Sequence, residues 1–132
     1  MENQHNIHLF NQVVAYCFSG LYTSFPIPTT IDLKNINTES EVSKIFFKST
    51  VVWLKDSGYI VFSNVDASHT RVFNCVLTAK GLEVLNATPD GLKIKHTLGD
   101  TLGECLKQGA KEQAVDTVKK ILGIGISLIT GQ

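Results

Sequence analysis

Arginine is nearly absent from this chain: Arg71 stands alone beside eleven lysines, and the twelve basic side chains are balanced by twelve acidic ones. Domains that hold nucleic acid through its phosphates concentrate positive charge, because counterion release supplies most of their non-specific affinity. Neutrality weakens that expectation without excluding DNA. Cysteine is sparse as well. Cys17, Cys75 and Cys105 are odd in number, far apart and set among apolar or helix-forming residues, so the sequence offers no Cys-x-x-Cys zinc or redox spacing. The opening Met-Glu-Asn-Gln-His-Asn lacks the basic region of a secretory signal. A reducing cytoplasm is therefore the expected location, and the Asn86-Ala87-Thr88 sequon reads as a chance match. Long apolar runs are missing too: the stretch from Ile121 to Ile129 has about half the length needed to span a bilayer. It favours a buried interface over insertion at a membrane surface.

Signatures of catalysis are equally scarce. There is no Gly-x-Ser-x-Gly elbow and no phosphate loop, and Gly123-x-Gly125 lacks the third glycine and the preceding strand of a dinucleotide site. Cys75 lies in an apolar strand pattern with no histidine indicated beside it, which makes it a small core hydrophobe. His5 and His8 are three apart on one helix, but no third ligand is near them in sequence. The expectation is a chain without enzymatic activity, cofactor or metal.

What remains is the composition of a globular domain, 43% hydrophobic and 18% charged over 132 residues. A chain of this length buries roughly two-thirds of its unfolded surface. Ile7, Phe10, Val14, Cys17 and Leu21 recur at spacings of three and four and predict a helix of about four turns, widened by Val13 and Phe18 and ended by Pro26 and Pro28. Ile31 and Leu33 alternate with Asp32 and Lys34 as a short edge strand would. Thr38 and Glu41 match a capping box, which predicts a helix start near Thr38. The apolar pattern of Val42, Ile45, Phe46 and Val52 runs on to Leu54, and Gly58 stops it. Whether 38–57 is one helix or two is open at this point, since no glycine marks a break near 47–49.

Tyr59 to Val65 and Arg71 to Leu77 are rich in β-branched and aromatic residues and flank Asp66-Ala67-Ser68-His69-Thr70, the pattern of a hairpin with a polar loop. In its second strand Phe73, Cys75 and Leu77 form the expected apolar face. Thr78 then caps a helix from Ala79 to Asn86, and Thr88-Pro89-Asp90-Gly91 breaks the chain. Beyond the break a helical stripe predicts one long helix of up to seven turns, starting near Thr97 or near Thr101.

Two phrases carry a resemblance. Trp53-Leu54-Lys55-Asp56-Ser57-Gly58-Tyr59-Ile60 looks like a recognition helix running into a wing strand, and Leu77-Thr78-Ala79-Lys80-Gly81-Leu82-Glu83-Val84-Leu85 looks like the return from the wing into the next helix. Together with the element order, residues 7 to 86 resemble the winged-helix (winged helix-turn-helix) superfamily, in particular small MarR- and PadR-like bacterial or phage regulators. The resemblance implies an α+β, winged-helix-like domain over 1–88 with a β-hairpin wing, followed by a helical extension over 89–132.

It also implies DNA binding in transcriptional or phage-type regulation. Lys44, Lys48, Ser49 and Thr50 would face the major groove, and His69 and Arg71 would reach from the wing. The charge of this face departs from the pattern: from Asp32 to Arg71 five basic residues meet five acidic ones. The alternative is a module of the same topology that binds protein. An extension with Leu98, Leu102, Leu106, Ala110, Ala114, Val118, Ile121 and Leu122 along one side must bury that stripe. A homodimer interface is the first reading and packing back onto the first helix the second.

Overall fold

The computed structural model describes residues 2–88 and 96–130. The chain is α+β: α1 (Glu2–Ser24), β1 (Thr29–Asp32), a 3-10 turn (Leu33–Asn35), α2 (Lys44–Asp56), β2 (Ile60–Val61), β3 (Asn64–Val65), β4 (Arg71–Leu77), α3 (Ala79–Asn86), α4 (Leu98–Lys107) and α5 (Lys111–Thr130). The sheet is antiparallel and centred on β4. β1 pairs along one edge of β4 (Ile31 opposite Val72), while β2 and β3 pair along the other (Ile60 opposite Leu77, Asn64 opposite Phe73).

α1 is the axis of the fold, packing against α2, α3, α4, α5, β1 and β4. That is why its middle, Asn11 to Ala15, is buried on every side. The apolar stripe is buried at Val14, Cys17 and Leu21, whereas its first member, Ile7, stays 59% exposed.

The start of α2 corrects the sequence reading. Ser43, not Thr38, is the N-cap, its Oγ accepting the Phe46 N–H at 3.1 Å. The Thr38 hydroxyl donates instead to the Ser40 carbonyl, and the Glu39 N–H donates to Gln12 Oε1 on α1 at 3.1 Å. That tertiary bond ties 36–43 to α1, and with the Thr38 hydroxyl spent on the Ser40 carbonyl the stretch is held as a loop. The stretch 38–57 thus holds one helix, preceded by a loop. At its far end Gly58 (φ 89°) donates to the Lys55 carbonyl and Tyr59 to that of Leu54, the double bond of a Schellman stop.

The hairpin forms as expected, with an irregularity. Asn74 has φ 57°, and the register of β1 on β4 slips between Thr29 and Ile31. The extra residue shifts the alternation, so Val72, Cys75 and Leu77 are buried while Phe73 is half-buried. In the hairpin loop Asp66 Oδ1 accepts the Thr70 N–H at 2.8 Å and the Arg71 N–H at 3.1 Å, and Oδ2 accepts the Ser68 hydroxyl at 3.0 Å. The Thr70 N–H is the main reason the Asp66 carboxyl is held down to about 2. A folded-state pKa below the unfolded one stabilises above the unfolded value and is lost as pH falls through the folded one. The expected result is that wild type loses stability relative to Asp66→Asn between about pH 4 and 2, read by urea melts at each pH. Equal pH slopes for the two proteins would show that the loop gains nothing from the charge.

The long C-terminal helix is two helices. Gly109 (φ 72°) donates to the Leu106 carbonyl at 3.2 Å and Ala110 to that of Cys105 at 2.8 Å, a second Schellman stop that turns the chain from α4 into α5. Thr97 is the N-cap of α4, accepting the Asp100 N–H at 3.0 Å. The two helices pack on each other and on α1, so the core runs across the break after Thr88: Leu98, Leu102, Ala114, Val118 and Ile121 share one apolar cluster with α1, α2, α3 and the sheet. Tyr59 knits this cluster together. Its ring lies 5.7 Å from that of Phe18, Lys80 sits over it at 4.4 Å, and its hydroxyl donates to the Leu122 carbonyl at 3.5 Å.

Candidate nucleic-acid or protein interface on α2

α2 places Lys44, Lys48, Ser49 and Thr50, but does not offer them all. Thr50 is 3% exposed and its hydroxyl donates to the Phe46 carbonyl at 2.9 Å, so that hydroxyl is not offered to a base edge. This removes one of the expected DNA contacts; a β-hydroxyl inside a helix finds the carbonyl four residues back. Lys44 and Ser49 are exposed and Lys48 is half-buried. On the hairpin, Arg71 is paired with Asp32 at 3.6 Å, and His69 takes the left-handed turn position (φ 60°). The hairpin cation is thus already matched by a carboxylate.

The stripe expected to form a dimer interface is used inside the chain. Leu98, Leu102, Ala114, Val118 and Ile121 are fully or almost fully buried, Leu106 and Leu122 pack against them, and Ala110 is half-buried in the turn. Packing back onto α1, the second of the two sequence readings, accounts for these side chains.

A stretch of exposed apolar surface lies between α1 and α2, apart from the exposed Ile27 and Val61. Ile45 is 62% exposed and Trp53 44%, with Ile7 beside them. A groove of about 290 Å³ is lined by Asn6, Ile7, Phe10, Phe46, Ser49, Thr50 and Trp53. Phe10 and Trp53 meet edge to face at 5.3 Å and form part of its wall. A second, open depression of about 390 Å³ continues along α2 over Ile45, Lys48, Ser49, Val52, Trp53 and Asp56. At 100° per residue Ile45, Ser49, Val52 and Asp56 share one line of the helix, Trp53 flanks it on one side, and Lys44, Lys48 and Lys55 flank it on the other. Against these three lysines α2 carries one acid, Asp56. Lys55 Nζ lies 5.2 Å from the centre of the Phe62 ring, which anchors that flank to the sheet.

Neither buried cysteine is poised as a nucleophile. Burial pushes the Cys75 thiol up to about 12, and burial together with the neighbouring Cys75 raises that of Cys17 further. The histidine pair of α1 fares differently. His5 and His8 do not share ligands, but the fold carries Glu39 and Glu112 to His8, at 3.5 and 3.6 Å from its Nε2. Sequence reasoning missed this trio because its members are separated by 31 and 73 positions and meet only through tertiary packing.

No helix among the described residues is long and apolar enough to cross a membrane. No family model, curated protein or solved structure matches the chain.

Proposed function

We propose that the chain is a winged-helix-type interaction module that docks an acidic, amphipathic segment of a protein partner along α2. The topological part rests on the strand order: β1, which leaves α1, lies against β4, and β4 lies against the wing strands, as a winged helix requires. The helix before the recognition helix is reduced to the 3-10 turn and the loop to Ser43. The functional part rests on one observation, that Ile45 and Trp53 stay exposed beside the half-buried Val52 on the outer side of α2. Ile45 and Val52 offer no hydrogen bonds to base edges, and Trp53 offers only its indole N–H, which leaves Ser49 and Asp56 as the polar side chains of that line. The depression over Ile45, Val52 and Trp53, bordered by Lys48 and flanked by Lys44 and Lys55, complements a helix that has aliphatic or aromatic anchors on one side and carboxylates next to them.

The same lysines support a second reading, DNA held by its phosphates, and the two separate in one experiment. Labelled probes would be a 15-residue Leu/Phe-anchored acidic amphipathic peptide, its scrambled isomer and a mixed-sequence 20-base-pair duplex, with binding followed by anisotropy. Ile45→Glu, which puts a carboxylate in the depression along α2, is expected to weaken the peptide at least tenfold; Lys48→Glu is expected to weaken it about threefold, as rim charges do. The scrambled isomer should not bind. A duplex that binds at low salt and is weakened by Lys48→Glu but not by Ile45→Glu, with no peptide binding, would replace this reading with the DNA one.

A further inference from the structure

The fold gathers three metal-ligating side chains that come from three separate segments. His8 belongs to α1, Glu39 to the loop before α2, and Glu112 to the first turn of α5. One ligand atom from each lies within 4.8 Å of the other two, with His8 Nε2 3.5 Å from Glu39 Oε1 and 3.6 Å from Glu112 Oε2. Donors bound to a tetrahedral zinc at about 2.0–2.2 Å stand roughly 3.3–3.5 Å apart, so the two histidine-to-carboxylate spacings are already close to those of a loaded site. Both carboxylates are more than half exposed and free to swing the rest of the way.

The surroundings point the same way. Among the described residues no lysine or arginine pairs with Glu39 or Glu112, so His8 alone faces two carboxylates. One turn further along α1, Gln12 is 3% exposed and accepts the Glu39 N–H through Oε1, which sets its amide head beside the base of Glu39. Its Nε2 is buried and has no partner among the described residues. A buried donor left without a partner one turn from His8 is a polar group the protein alone does not satisfy, of the kind that marks an ion or water site.

We propose that His8, Glu39 and Glu112 form a binding site for a divalent transition-metal ion, with Zn²⁺ the best match. One imidazole and two carboxylates suit zinc; calcium and magnesium take oxygen ligands and, for calcium, more of them. Three protein ligands leave a fourth position for water. The ion clamps the loop 36–43 and the start of α5 onto α1, and so fixes the lead into α2. This site is independent of the groove on α2, and the loss of either leaves the other standing.

The test uses the untagged full chain, stripped with EDTA and desalted, then titrated with ZnCl₂ by calorimetry, with Co²⁺ absorption as a second readout. One equivalent is expected to bind and to raise Tm. Glu39→Gln and Glu112→Gln should each weaken binding at least tenfold, His8→Ala should abolish it, and His5→Ala should leave it unchanged. The metal-free far-UV spectra of the two Gln variants serve as the folding control, since both positions are exposed. No saturable binding up to about 1 mM ZnCl₂, or binding equally tight in all three ligand variants, overturns the proposal.

Discussion

A chain ending at Thr88 is expected not to fold. Such a fragment keeps every element of the winged-helix-like arrangement, and a sequence reading that treats 89–132 as an extension predicts a stable, smaller domain. The packing predicts the opposite. Leu98, Leu102, Val118 and Ile121 are buried in the same cluster as Val14, Phe18 and Tyr59. Full burial of a Leu, Ile or Val side chain stabilises by about 1.5–3 kcal/mol, so removing four costs about 6–12 kcal/mol, as much as the entire stability of a typical domain. Removing α4 and α5 also exposes the side of α1 they cover and the Tyr59 hydroxyl's partner disappears with them. The measurement is circular dichroism during heating: full-length chain melts cooperatively, and the fragment gives a coil-like spectrum with no transition. A cooperative melt of the fragment would show that residues 2–88 form a core of their own.

Gly81→Ala should be clearly destabilising although it adds only a methyl. Local propensity says otherwise, since alanine is favoured over glycine inside a helix by about 1 kcal/mol. But a Cβ at position 81 would collide with the Tyr59 carbonyl oxygen, and would stand 3.2 Å from both the Tyr59 carbonyl carbon and Leu77 Cδ2. The nearest obstacle is backbone, held by the Thr78 N–H at 3.0 Å and by the Thr78 hydroxyl, so it cannot rotate away as a side chain does. Overpacking of this kind costs about 1–3 kcal/mol and sometimes more. The clash is expected to win, for a net loss of about 2 kcal/mol and a fall in Tm of roughly 6–10 °C. A Tm equal to wild type or higher would mean that α3 can slide from β4 at little cost, which its short capped turn argues against.

Much of the fold is legible where the determinants are local. Gly58 after Leu54-Lys55-Asp56-Ser57 reads as a helix stop, Thr78 reads as a cap, and the polar run from Asp66 to Thr70 reads as a hairpin loop; each is written within a few residues. The misses have specific causes. Gly109 makes the same Schellman stop as Gly58, but it follows Lys107-Gln108 and precedes Ala110, good helix formers that continue the apolar stripe, and so α4 and α5 read as one helix. Glycine at such a position was the available signal. The Thr38 capping box failed because the Thr38 hydroxyl donates to the Ser40 carbonyl and Gln12, 27 residues from Glu39, pins the Glu39 N–H, so the stretch is fixed as a loop by a contact that no local pattern contains. Asn74 carries a bulge in an otherwise regular strand, and only the slipped pairing with β1 reveals it.

The candidate site was half legible for the same reason. Lys44, Lys48 and Ser49 lie on α2, Lys44 and Ser49 exposed and Lys48 half-buried. What the sequence could not show is that Ile45 and Trp53 remain uncovered while the C-terminal stripe is covered, because that depends on which faces α1 shares with its neighbours. Apolar residues on a would-be recognition helix look like core until the rest of the core is in place.

The central claim is that the outer line of α2 and the groove beside α1 receive an acidic amphipathic helix. Amide and indole NMR shifts of the ¹⁵N-labelled chain test it most directly, because Trp53 supplies the one indole signal. Addition of the acidic amphipathic peptide is expected to move the Trp53 indole and the amides of Ile7, Phe10, Phe46 and Ser49, and the mixed-sequence duplex should leave them in place. Shifts produced by the duplex at Lys44, Lys48 and the hairpin residues 66–71, with no response to the peptide, would contradict it.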